Sequence, residues 1–179
     1  MDQPDLEQIQ AAVARDPRNA QLRYLLGAEL AQQKEYPAAV IEMRNALELD
    51  SSLHFARFQL GLLFLTMAEP ANSIATWAPL EALDDDAPLK LFKRGLEALI
   101  RDDFPACVAL LRQGIELNTQ NAPLNRDMSM VIERVNQLAP SAPVAAPTVT
   151  PVAVPAQTRE PDGVRTDFSL YGDPNQTKH

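Results

Sequence analysis

Tyr24-Leu25-Leu26-Gly27-Ala28-Glu29-Leu30, Phe58-Gln59-Leu60-Gly61-Leu62-Leu63-Phe64 and Phe92-Lys93-Arg94-Gly95-Leu96-Glu97-Ala98 set a glycine in the same surroundings three times, 34 residues apart. An aromatic residue stands three positions before each glycine. Twelve positions after it comes a small residue (Ala39, Ser73, Cys107), and sixteen after it a large apolar one (Met43, Trp77, Leu111). Each cycle closes in a polar turn, at Leu47-Glu48-Leu49-Asp50, Leu83-Asp84-Asp85 and Ile115-Glu116-Leu117-Asn118. A fixed period of this length marks a helical repeat array. The small residues let paired helix backbones approach closely, and apolar rows on both helices give each hairpin two faces to bury. One hairpin cannot cover both faces alone, so the hairpins are expected to stack.

Caps and breakers predict helices near 5–15, 20–33, 37–49, 54–67, 71–83, 87–101, 105–117 and 122–137. Pro37, Pro70 and Pro105 fall in the first turn of the second helix of each hairpin, where a missing N–H is harmless. Asp86, ahead of Ala87-Pro88, reads as an N-cap with acidic support for the helix dipole. The all-α domain is expected over 1–138, with a leading helix, three repeats at about 20–53, 54–87 and 88–121, and a capping helix. Residues 139–157 turn to proline, alanine, valine and threonine without charge, a composition that favours extended conformers and reads as a linker. Residues 158–179 read as a flexible polar tail.

The pattern resembles the tetratricopeptide repeat family over about residues 3 to 136. That resemblance implies a right-handed solenoid of helix-turn-helix hairpins, with the first helix of each hairpin lining a concave surface. The chain departs from the family pattern at Arg23 and Arg57, four before the glycine, where a large apolar residue is usual. It departs again at Ser51, Asp85 and Thr119, where the repeat-ending proline is usual, although Pro17 keeps it.

The chain has 179 residues with 24 acidic and 16 basic side chains, a net charge of -8. An acidic surface is a poor match for nucleic acid or anionic membrane. Met1-Asp2-Gln3-Pro4-Asp5-Leu6 lacks the basic and apolar segments of a secretory signal, and no apolar run approaches a membrane span, so a cytoplasmic location is expected. Cys107 is the single cysteine, which leaves no intrachain disulfide.

If the resemblance holds, the inner row comprises Gln21, Tyr24 and Ala28, then Phe55, Phe58, Leu62 and Leu65, then Leu89, Phe92, Leu96 and Leu99. The bland alternative is that this row is mainly packing between repeats, because the helix from His54 to Met67 is apolar almost all round. Inner positions occupied by Tyr24, Ala28, Phe58 and Leu62 do not supply a carboxylate clamp, which leaves an apolar peptide as the expected ligand. Arg23, Arg57, Lys90, Lys93 and Arg94 are candidate rim charges, or simply solvated ones. Phe168, Leu170 and Tyr171 form a tail motif that is a partner-binding element, a self-docking element or an accident of composition.

No catalytic set is legible. His54 and His179 are the only histidines, and Cys107 occupies a packing slot. Asp84-Asp85-Asp86 reads as a turn and cap rather than a metal site, and no cofactor motif occurs. The expected function is therefore a non-catalytic adaptor or scaffold that binds a protein or peptide. The alternative resembles the three-repeat chaperones of bacterial secretion systems, which hold apolar segments of exported proteins.

Overall fold

The computed structural model describes residues 6–138. Within them the chain forms α1 (Leu6–Arg15), α2 (Ala20–Gln32), α3 (Tyr36–Leu49), α4 (His54–Thr66), α5 (Pro70–Trp77), a 3₁₀ turn (Ala78–Ala82), α6 (Pro88–Ile100), α7 (Phe104–Leu117) and α8 (Ala122–Leu138). The tail motif Phe168, Leu170 and Tyr171 lies outside the described residues, as does the linker.

The helices pack as consecutive pairs, α2 on α3, α4 on α5 and α6 on α7, with α1 against α2 and α8 against α7. The repeated glycines sit where the two helices of each pair approach closely. A methyl added at Gly27 would meet Met43 Cγ at 2.7 Å, at Gly61 it would meet Trp77 Nε1 at 1.9 Å, and at Gly95 it would meet Leu111 Cδ2 at 2.7 Å. Ala39, Ser73 and Cys107, the small partners, are fully buried. Ser73 adds a hydrogen bond, its Oγ donating to the Gly61 carbonyl at 2.7 Å.

The backbone repeats as well. Lys34, Ala68 and Asp102 adopt left-handed φ values of 64°, 59° and 57°. After each, an amide reaches back to close the helix: Glu35 N–H to Leu30 O, Glu69 N–H to Phe64 O and Asp103 N–H to Ala98 O, at 2.9, 2.8 and 2.9 Å. These are the long bonds of a helix end that turns through a left-handed residue.

Two details differ from the sequence expectation. The helix expected over 71–83 stops at Trp77 and tightens into the 3₁₀ turn. Pro79 explains this, since it has no N–H to continue the ladder and its ring crowds the carbonyl four residues back. Asp86 is not the cap of α6. Pro88 at the first helical position pushes Ala87 into extended backbone, at φ -63° and ψ 123°, so Ala87 takes the cap position without a side-chain bond.

Buried apolar side chains form three clusters. Ile9, Val13 and Leu26 join α1 to α2, and Ala39, Val40 and Met43 of α3 meet Leu60, Leu63 and Phe64 of α4. The largest runs from Phe58 through Trp77, Phe92 and Leu111 to Val135 of α8. Among the described residues no helix is long and apolar enough to cross a membrane.

Candidate functional site

The expected inner row divides into two groups. Phe58, Phe92 and Leu96 are fully enclosed, and Leu65 is buried. They are core residues, which corrects the expectation that they face an open groove. Phe58 stacks on Trp77 with ring centroids 5.7 Å apart and meets Phe92 at 6.2 Å. Trp77 is held by its own Nε1–H, which donates to the Phe58 carbonyl at 2.9 Å. Gly114 of α7 leaves room for Phe92, whose Cε1 would lie 2.5 Å from a methyl placed there.

Tyr24, Phe55, Leu62, Leu89 and Leu99 remain half-buried. Phe55, Leu62, Leu89 and Leu99 lie against the largest core cluster, and Tyr24 against the cluster shared by α3 and α4. Tyr24 and Phe55 meet edge to face, with centroids 6.2 Å apart, so the row continues from the first hairpin to the second. Burial raises the Tyr24 hydroxyl above its ordinary value, so it stays neutral.

Most of the candidate rim charges are committed internally. Arg23 pairs with Glu42 at 2.8 Å. Lys90 and Lys93 are buried, and they converge with Arg94 on the acidic turn before α6. Lys93 Nζ lies 2.6 Å from Glu81 and 3.3 Å from Glu97, while Lys90 Nζ lies 2.9 Å from Asp85 and donates to the Leu83 carbonyl at 2.7 Å. Arg94 hydrogen-bonds to Glu81 as well. Hydrogen bonds from Arg94 and then Lys93 hold the Glu81 carboxyl down at about 2. Asp85 is lowered too, first by its hydrogen bond from Lys90. Of the three aspartates only Asp85 joins this ion-pair network, and no cluster of potential metal ligands occurs among the described residues.

Arg57 is the exception. Its Nη2 donates to the Ser51 carbonyl at 3.2 Å, but its Nε is buried with no acceptor. It lines an open cavity of about 290 Å³ with Arg44, Leu47, Glu48, Leu60 and Thr76. Sequence reading noted Arg57 and missed Arg44 and Thr76. The signal available was the repeat register, which places Thr76 where the preceding unit has Glu42.

Cys107 is fully buried, and burial, with Asp103 nearby, pushes its thiol up to about 11. A protonated, inaccessible thiol is a packing group, not a nucleophile. A scan of known family models and a search of curated proteins found no match to this chain.

Proposed function

We propose that this chain is a tetratricopeptide-type solenoid that works by binding alone, as an adaptor holding an apolar peptide or partner segment against the exposed half of its inner row. The observation that carries the reading is the continuity of Tyr24, Phe55, Leu62, Leu89 and Leu99. They come from the first helix of three successive hairpins and stay half-exposed beside a sealed core. Paired helices, glycine contacts and left-handed turns that recur at 34 residues support the solenoid. A row dominated by carbon suits apolar side chains of a partner helix or extended segment better than it suits bond-making.

The test is a paired substitution, Phe55→Ser with Leu89→Ser, in the full chain. Both side chains are half-buried, so helical circular dichroism should be retained. A partner recovered with the wild-type chain should bind at least roughly tenfold more weakly, as expected when central apolar anchors are removed. Undiminished binding by a folded double variant would remove the inner row from the account. Deleting 158–179 in parallel separates the tail readings: tighter binding indicates self-docking, weaker binding a partner motif, and unchanged binding an accident of composition.

A further inference from the structure

The first two hairpins supply an internal comparison at Arg57. Arg23 and Arg57 lie 34 residues apart, as do Pro17 and Ser51, and Glu42 and Thr76. In the first hairpin Arg23 Nε donates to the Pro17 carbonyl at 2.7 Å, and its Nη1 meets Glu42 Oε2 at 2.8 Å. Both needs of the guanidinium, a loop carbonyl and a carboxylate, are met from within the hairpin.

In the second hairpin only the loop contact survives, from Arg57 Nη2 to Ser51 O. Thr76 takes the place of Glu42, with a shorter side chain and no charge. Arg57 has no ion pair among the described residues, its loop bond runs from Nη2 so that the buried Nε lacks an acceptor, and Arg57 and Thr76 both line an open cavity. Arg44 stands on the same cavity with its guanidinium 5.4 Å above the Phe64 ring, and it too has no ion pair among the described residues. Glu48 lines the cavity without ion-pairing to either arginine. Leu47 and Leu60 add apolar wall.

We propose that this cavity is a carboxylate receptor, in which the carboxylate of a bound peptide takes the place beside Arg57 that Glu42 takes beside Arg23. A planar guanidinium presents paired donors that a carboxylate satisfies with two parallel bonds, and a second guanidinium on the wall adds to the local positive field. The net charge of -8 repels a strongly acidic chain at longer range. The ligand is therefore a peptide that presents one carboxylate in a neutral or basic setting. The cavity belongs to α3, α4 and α5 and contains none of the inner-row residues, so the two sites succeed or fail separately.

The experiment follows the arginine Nε–H resonances of the full chain during titration with three probes. N-acetylglutamate α-amide offers a side-chain carboxylate, N-acetylglycine a terminal one, and N-acetylglutamine α-amide is the neutral control. Saturable shifts at Arg57 and Arg44 with a carboxylate probe are expected, and the stronger probe identifies the source. Thr76→Glu should restore an internal pair, raise Tm by about 2–4 °C and abolish the response. Arg44→Gln, a change at the cavity wall, should weaken binding about tenfold and serves if Thr76→Glu does not fold. Equal shifts with the glutamine probe, preference for inorganic phosphate, or unchanged binding in a folded Thr76→Glu or Arg44→Gln variant would each overturn the proposal.

Discussion

A methyl group at Gly61 would sit 1.9 Å from Trp77 Nε1 and 2.3 Å from Cε2, against an indole that is fully buried and tied to the Phe58 carbonyl. The ring cannot yield without breaking that bond and unstacking from Phe58. At Gly95 the obstacle is Leu111, branched but apolar, and at Gly27 it is chiefly the flexible Met43 side chain. Alanine is favoured over glycine within a helix by about 1 kcal/mol, so the neighbour decides the outcome. Urea denaturation should show Gly61→Ala losing more than about 3 kcal/mol, Gly95→Ala about 1–2, and Gly27→Ala less than about 1. Equal losses at all three would mean that these contacts are not what calls for glycine. A second outcome at this scale concerns Cys107: with its thiol near 11 and no exposed surface, iodoacetamide at pH 8 should label it only after denaturation. Labelling of the native protein at the rate of a free thiol would contradict the packing role. The glycines and their partners sixteen positions on were legible in the sequence because a close approach needs a small residue. The separation of Phe58 from Phe55 was not. Both lie on one helical face, and only the positions of Trp77 and Phe92 decide which is sealed.

Each hairpin reverses through a non-glycine residue in the left-handed region, and Ala68, at φ 59°, has no side chain that compensates locally. The Ala68→Gly variant should relieve that strain and gain roughly 0.5–1 kcal/mol, measured as a rise in the urea midpoint at unchanged slope. A loss would show that the turn is held by something other than backbone preference. These turns were hidden from sequence reading because no glycine marks them, whereas the helices they join were marked by periodicity and first-turn prolines. The junction before α6 carries the other prediction. Glu81 has a folded value of about 2 against an ordinary 4.5, so its contribution to stability is complete above 4.5 and is lost as pH falls from 4.5 toward 2. Glu81 is partly exposed, so the effect is reduced by solvent and by salt. Glu81→Gln should lower stability at pH 7 and converge with wild type near pH 2; a deficit constant across that range would exclude the ion-pair explanation. Asp86 looked like the cap because it precedes a proline, yet the proline itself moved the cap position to Ala87.

Across the whole molecule, burial is uneven, and the unevenness predicts an order of unfolding. The cluster from Phe58 to Val135 ties α4 to α8, whereas α1 is held by Ile9 and Val13 against Leu26. In an array where each unit touches mainly its neighbours, opening starts where the interface is smallest. Native-state hydrogen exchange should therefore find the amides of α1 opening at free energies at least about 2 kcal/mol below those of α4, α6 and α7. Loss of α1 would leave Ala39, Val40 and Met43 packed on α4, since that cluster draws on α3 and α4 rather than on α1. The half-exposed row on α4 and α6 and the cavity beside Arg57 would then persist in the partly opened state. Uniform protection from α1 to α8 would instead show that the hairpins fold as one cooperative unit, and that the small α1 interface is stronger than its buried area implies.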